Sequence, residues 1–147
     1  MKKHTFSLEA VLDLRATAKE KAEDALRLSI QQRDAAVARC AQAEATLAQI
    51  ASEIGSGRFS AGARGQGWQA MCRQQQVCRD LENRRIEEDK LVVACRNDLI
   101  KADRDHELVV RLKDKWRTAC TAEEAHAEEL QLEEFVNSRR QSQPQPV

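Results

Sequence analysis

The sequence predicts an all-α fold in which two long helices pack antiparallel as a coiled-coil hairpin. All five glycines lie between Gly55 and Gly67, and the two prolines are Pro144 and Pro146. Because glycine and proline interrupt helices more strongly than other residues, the spans on either side of the glycine cluster can each run as one helix. A charged fraction of 33% and an aromatic fraction of 3% are typical of such long helices.

The chain is expected to form a single domain over residues 1–143. We expect a first helix at about 7–54, a turn at 55–67 and a second helix at about 68–138. Residues 139–147 are expected to form a flexible polar tail. Folding back about the middle of the turn brings residues whose numbers sum to about 122 opposite each other. The second helix should therefore overhang the first at the end that carries both termini.

Apolar and small residues recur along both predicted helices at spacings of three and four, which is the pattern of one buried helix face. In the first helix this face comprises Leu8, Val11, Leu12, Ala18, Ala22, Leu26, Ser29, Ala36, Cys40, Ala43, Leu47, Ile50 and Ile54. In the second helix it comprises Cys78, Leu81, Val92, Cys95, Leu99, Ala102, His106, Val109, Leu112, Trp116, Cys120, Ala127 and Leu130. Arg85 and Glu88 stand where apolar residues are due, so we expect the seam between the helices to be interrupted there.

The sequence predicts no enzyme, no cofactor and no metal site. The three histidines lie far apart, and none of the five cysteines forms a C-x-x-C pair. Two packed helices also offer no deep pocket for a substrate. Cys78, Cys95 and Cys120 fall on the apolar face, where we expect free thiols that pack as small hydrophobic groups.

Charge and hydropathy argue against two further classes of partner. The 24 basic and 24 acidic residues cancel, so the chain lacks the excess positive charge from which nucleic-acid binding derives most of its affinity. No apolar run approaches the roughly 20 residues of a membrane span, and the first residues lack the apolar core of a signal peptide. We expect a cytoplasmic protein that reaches a membrane only through its partners.

The segment expected to overhang the first helix runs from about Cys120 to Arg140, and its glutamates have no Lys or Arg between them. A short basic collar stands just before this segment. This charge pattern can orient a helix in a complementary ring or cleft. The collar residues are Arg111, Lys113, Lys115 and Arg117, which surround Trp116. The segment is either a solvated, fraying helix end or a docking element whose apolar residues enter a partner's groove. Those apolar residues are Leu130, Leu132, Phe135 and Val136.

The predicted turn and the residues after it carry Phe59, Trp68 and Met71. The G-x-x-x-x-G-K-[ST] pattern of phosphate-binding loops is absent from this glycine-rich stretch. The turn is therefore either a plain linker or a flexible tip through which these three side chains contact a partner.

Residues 6–15, FSLEAVLDLR, resemble the amino-terminal signature F-x-L-x-x-[VL]-L-x-L-R of the FliJ family of flagellar export proteins. Residues 112–115 and 129–134 are similar to the family's carboxy-terminal pattern. The resemblance thus covers both predicted helices. The stalk proteins of virulence-associated injectisomes are similar as well.

The resemblance implies a central stalk of flagellar type III protein export. Such a stalk is an antiparallel coiled coil that binds and stimulates a hexameric export ATPase and couples it to the membrane-embedded export gate. In the family, the end with both termini enters the ATPase ring and the turn faces the gate. The chain would then act at the inner face of the cell membrane as a peripheral component, in flagellum biogenesis and hence in motility and chemotaxis.

Carried onto this chain, the resemblance implies ATPase binding by residues near both termini. These are Phe6, Leu8, Leu12, Arg15, Arg111, Lys113, Lys115, Trp116, Leu130 and Phe135. Contact of Phe59, Trp68 and Met71 with the cytosolic domain of the gate protein is our own extension, which rests on exposure and aromatic character. Export chaperones are further candidate partners, and we expect the isolated chain to be a monomer.

Other classes of protein fit the same residues. A generic coiled-coil adaptor or a holdase-type chaperone would show the same periodicity, which names no partner. A parallel homodimer is a structural rival, but the glycine cluster interrupts its seam, and closing a hairpin over about thirteen residues costs little entropy. Prefoldin-like hairpins carry strands between their helices, whereas residues 55–67 show no alternating pattern.

Overall fold

The protein, in a computed structural model, consists of two α-helices joined by a short turn. The structure describes residues 4–57 and 60–143. Helix α1 spans Glu9–Gly55, helix α2 spans Ala61–Gln141, and they pack against each other with no strand in the described ranges. The predicted all-α helical hairpin is confirmed. In the same ranges, no helix combines the length and the apolar character that a membrane crossing requires.

The chain divides into two compact units, each of which contains a stretch of both helices. The terminal unit joins Met1–Thr17 to Asp103–Val147, and the turn unit comprises Ala18–Ala102. Each unit therefore has its own seam between α1 and α2.

The core of the turn unit is a seam of small side chains. The Ser29 hydroxyl donates a hydrogen bond of 2.8 Å to the Leu26 carbonyl, so this buried polar group is satisfied within its own helix. All buried residues of this unit belong to the face predicted from the spacing. They are Ser29, Ala36, Cys40 and Ala43 of α1 and Val92 of α2.

The seam of the terminal unit is shorter. Val109 is buried, and Leu12 and Trp116 are half-buried. Leu112 was predicted on the same face, yet it is 48% exposed. The covered positions of this stretch are instead Val109, Lys113 and Trp116, whose spacing of four and three defines the helix face that meets α1.

Four other members of the predicted face are exposed, namely Leu8, Ala18, Ala127 and Leu130. In the antiparallel register, Ala127 and Leu130 lie beyond the first residue of α1, so no helix covers them. Leu8 precedes α1. Ala18 is exposed while Lys19 is half-buried, which means that the covered face has rotated by about one residue there.

Helix α1 has well-defined ends close to the predicted ones. The Glu9 N–H donates a hydrogen bond of 3.2 Å to the Phe6 carbonyl, and the Glu9 carboxylate lies at the positive end of the helix dipole. At the other end, the Ser56 hydroxyl donates to the Glu53 carbonyl over 2.7 Å. Gly57 follows with a φ of 71°, the left-handed conformation that glycine adopts at helix ends without steric cost.

Helix α2 begins at Ala61, well before the predicted start near residue 68. Ser60 acts as its amino-terminal cap, because its hydroxyl accepts a hydrogen bond of 3.4 Å from the Ala63 N–H. The Ser60 carbonyl also accepts one of 2.9 Å from the Arg64 N–H. The predicted turn of residues 55–67 is therefore much shorter, and three of its glycines, Gly62, Gly65 and Gly67, are helical. Their low helix propensity is overridden by the cap and by packing on α1.

Gly67 marks a close approach of the two helices in the turn unit. A Cβ at this position would lie 3.1 Å from Cγ1 of Ile54, whereas nothing lies within 4 Å of a Cβ at Gly62 or Gly65. The absence of a side chain at Gly67 therefore lets α2 pack directly on Ile54.

The carboxy-terminal end of α2 also differs from the prediction. The expected flexible tail of residues 139–147 is still helical through Gln141, and the Ser142 N–H donates a hydrogen bond of 3.1 Å to the Ser138 carbonyl. Arg139 and Arg140 stand in the last turn, where positive charge offsets the negative end of the helix dipole. Residues 144–147 lie outside the described part of the chain.

Alanine substitutions in the first turns of α2 should separate helix propensity from packing. Gly65→Ala meets open space, so we expect it to raise the free energy of unfolding by about 0.5–1 kcal/mol. Gly67→Ala gains the same propensity but presses on Ile54, so we expect a gain smaller by at least about 0.5 kcal/mol. Urea unfolding followed by circular dichroism measures both values. Equal gains would show that the approach at Gly67 is not a constraint.

Candidate partner-binding surfaces

Two aromatic rings pack against each other where the residues before α1 meet α2. The centroids of Phe6 and Trp116 lie 5.4 Å apart, and the ring planes are tilted by 45°. Aromatic pairs in such geometry add about 0.5–1.5 kcal/mol to the burial of their area. The numbers 6 and 116 sum to 122, so this contact lies in the predicted antiparallel register. Both residues were predicted to bind the ATPase, and the structure shows them half-buried against each other.

Lys113 of the basic collar is held by α1. Its Nζ lies 2.8 Å from Oε2 and 2.9 Å from Oε1 of Glu9, and its side chain is only 20% exposed. Because the Glu9 carboxylate neutralises this ammonium group through both of its oxygens, Lys113 attracts an acidic group of an external partner only weakly. Lys113 therefore contributes to the seam of the terminal unit more than to its outer surface.

The other predicted cations of this unit are more open. Arg111 donates a hydrogen bond of 2.7 Å to Glu107, one helical turn earlier, and both side chains are largely exposed. Arg15 and Asp105 lie 3.5 Å apart across the helices. Exposed pairs of this type contribute little to stability, so they open at small cost. Lys115 is exposed and forms no ion pair with the described residues.

Beyond Cys120, α2 has no covering helix. We call residues 121–141 the overhang, and every one of them is exposed. Leu132, Phe135 and Val136 are 63%, 56% and 47% exposed and are spaced by three and one, so they share one side of the helix. Leu130 is rotated by about 200° from Leu132 and lies on another side. The four apolar residues predicted to dock together therefore do not form one face.

The tip of the hairpin exposes one aromatic ring in the described residues. Trp68 is 59% exposed on the first turns of α2, and Met71, three residues later, is half-buried. Phe59 lies outside the described residues. Of the three side chains predicted to contact the gate protein, Trp68 is the one that the structure shows on the surface.

The predicted interruption of the seam is a charged cluster formed within α2. The Arg85 guanidinium donates to both carboxylate oxygens of Glu82 at 2.6–3.2 Å and to Asp89 at 2.7 Å. These hydrogen bonds from Arg85 hold the pKa of the Glu82 carboxyl below its usual value. The charge of Arg85 is thus satisfied by its own helix, which reduces the cost of placing it beside the seam.

Sequence reasoning did not foresee the environment of Glu88. Its Oε2 atom is buried and has no hydrogen-bond partner among the described residues. Such an atom lowers stability because it has lost its contact with water. The position of Glu88 on the predicted apolar face was the available signal, but the sequence does not show which oxygen loses its partner.

The cysteines divide by burial. Cys40 is buried, Cys78, Cys95 and Cys120 are half-buried, Cys72 is exposed, and all five are free thiols. Burial raises the pKa of the Cys40 thiol, and the nearby Glu82 charge raises it further. Burial likewise raises the pKa of Cys120, with a smaller contribution from Glu123. No group of three or more potential metal ligands occurs within the described ranges.

The chain matches no protein-family model, no curated protein and no solved structure with which it was compared. Its candidate surfaces therefore rest on the geometry described above and on the sequence resemblance.

Thiol alkylation should follow burial. Because the thiolate is the reactive form, the buried Cys40 with its raised pKa is expected to react with iodoacetamide at least about tenfold more slowly than the exposed Cys72. Timed quenching followed by peptide mass spectrometry at pH 8 gives both rates. Equal rates in urea serve as the control, and equal rates in the native protein would contradict the packing of Cys40 in the seam.

Proposed function

We propose that this chain is a non-enzymatic central-stalk component of the flagellar type III protein export apparatus. In this proposal it binds and stimulates a hexameric export ATPase and couples it to the export gate. The observation that carries the proposal is the exposed overhang of α2 at the end where the signature residues 6–15 begin α1. A helix that extends beyond its partner offers side chains on all sides, which suits insertion into a ring.

The signature residues divide into two groups in the terminal unit. Phe6 and Leu12 are half-buried, so they close the hairpin and fix where the overhang begins. Leu8 and Arg15 are exposed, so they remain available to a partner. From the ten residues predicted to bind the ATPase, we retain as direct contacts the exposed ones, namely Leu8, Arg15, Arg111, Lys115, Leu130 and Phe135. The half-buried Phe6, Leu12, Lys113 and Trp116 hold these residues in place.

The tip of the turn unit supports the second half of the proposal. Tryptophan is enriched among the residues that contribute most to binding at protein interfaces, because it buries a large area with few rotatable bonds. Trp68 stands at this tip with more than half of its surface exposed. We assign it the contact with the cytosolic domain of the export gate, with Met71 beside it. Through these contacts the stalk would associate peripherally with the inner face of the membrane.

A second candidate function is a generic coiled-coil adaptor or chaperone, of which an injectisome stalk would be a special case. The observation that favours it is the apolar exposure along the middle of α2. Ile86, Val93 and Ile100 are 39%, 54% and 50% exposed in the turn unit and are spaced by seven residues, so they share one side of α2. Exposed apolar side chains in one region are typical of surfaces that bind other proteins. Export chaperones would be candidate ligands of this region.

The ATPase assignment predicts a loss of binding when the overhang is changed. We expect Leu130→Glu with Phe135→Glu to weaken binding to the cognate export ATPase at least about tenfold, or about 1.4 kcal/mol, because two exposed anchors become charged. Titration of the full chain into the ATPase, with ATP hydrolysis and hexamer formation as readouts, measures this. Val77→Glu with Leu91→Glu is the matched control, since these two residues are similarly exposed but lie in the turn unit. If the double variant stimulates ATP hydrolysis as strongly as the wild type does, the ATPase assignment is wrong.

The gate assignment predicts a separate effect at the tip. We expect Trp68→Ala to weaken binding to the cytosolic domain of the gate protein by about 2 kcal/mol or more, as for an aromatic hot spot, while α-helical content stays constant. Val77→Ala, on another exposed apolar residue of the turn unit, is the control. Isothermal titration with the purified domain measures both. If both variants bind as tightly as the wild type, the tip is not the contact.

A further inference from the structure

One side of the overhang carries a short apolar patch between two charged turns. Leu132, Phe135 and Val136 form the patch, and all three are about half exposed or more. The guanidinium of Arg139 lies 5.1 Å from the centre of the Phe135 ring, so a cation borders the patch on its carboxy-terminal side. An uncovered helix of this length is marginal in water, so contact with a second helix would stabilise it.

The charges on this side are ordered along the helix. Glu128 and Glu129 precede the patch by one turn, and Arg139 and Arg140 follow it by one turn. At about 100° per residue, all four lie within about 80° of the direction of Leu132. The order along this face is therefore acidic, apolar and basic.

When two copies of this face run in opposite directions, the acidic turn of each copy meets the basic turn of the other. If two copies of the face meet antiparallel, Leu132 of one copy lies opposite Val136 of the other, and residues whose numbers sum to about 268 are paired. Glu128 then faces Arg140 and Glu129 faces Arg139, and the two-fold symmetry repeats each contact. A parallel arrangement would instead place acidic against acidic and basic against basic turns, which costs energy. The charge pattern thus selects one orientation.

We propose that the overhang binds the overhang of a second copy of this chain through this face, in an antiparallel arrangement. The proposal goes beyond the stalk function and does not depend on it. Three apolar side chains from each copy bury less than the roughly 1,200 Å² of a stable interface. The dimer is therefore weak, and the chain is a monomer at low concentration. Because the pairing covers Phe135, it competes with any other partner that binds this residue.

Complementary charge reversals test the proposal. Glu128→Arg with Glu129→Arg gives a face that is basic at both ends, and Arg139→Glu with Arg140→Glu gives one that is acidic at both ends. Sedimentation equilibrium of the full chain from roughly 10 to 300 µM should show association of the wild type. We expect each variant alone to associate at least about tenfold more weakly, and an equimolar mixture of the two to return to within about threefold of the wild type.

The control reverses the same amount of charge on the other side of the helix. Glu123 and Glu134 lie about 160–180° from Leu132, so Glu123→Arg with Glu134→Arg should leave association unchanged. Circular dichroism shows whether each variant remains helical. A wild type that stays monomeric over the whole range overturns the proposal, as does association that survives both reversals or a mixture that fails to restore it. No ATPase is present, so these outcomes are independent of the stalk assignment.

Discussion

The structure depends on the close packing of small side chains between α1 and α2. In the turn unit Ala36, Cys40 and Ala43 are buried, together with Val92 from the other helix. Small residues let two backbones approach, but each buries little apolar area, so the seam gains its stability from its length rather than from any one anchor. Where a larger group would intrude, as beside Ile54, the chain has glycine.

A seam of this kind determines where binding can occur. In the described residues the two helices meet along narrow seams, which leave little room for an enclosed site, so partner recognition falls to side chains on the surface. The chain offers such surfaces where the seam stops. At the start of α1 the Phe6–Trp116 contact closes the terminal unit, and the residues of α2 after Cys120 are exposed on every side. At the turn, the first residues of α2 leave Trp68 exposed.

Charged side chains near the seam are paired differently from those on the overhang. Near the seam it is neutralised inside the chain, by Glu82 and Asp89 around Arg85 and by Glu9 at Lys113. The orphaned oxygen of Glu88 is the exception, and it lowers stability locally. On the overhang, the charges have no covering helix to pair with. They instead keep an exposed helix in solution and set the orientation in which another helix can approach.

The fold class, the antiparallel register and the overhang follow from the sequence alone. The confined glycines and the spacing of residues such as Ala36 and Cys40 are local properties, and helix geometry converts them directly into faces. The tertiary structure sets the start of α2 at Ala61, because the cap at Ser60 and packing outweigh the low helix propensity of glycine. It also decided that Lys113 is paired and Lys115 is not, since ion pairing requires two side chains within a few ångströms across the helices, and sequence spacing does not fix that distance.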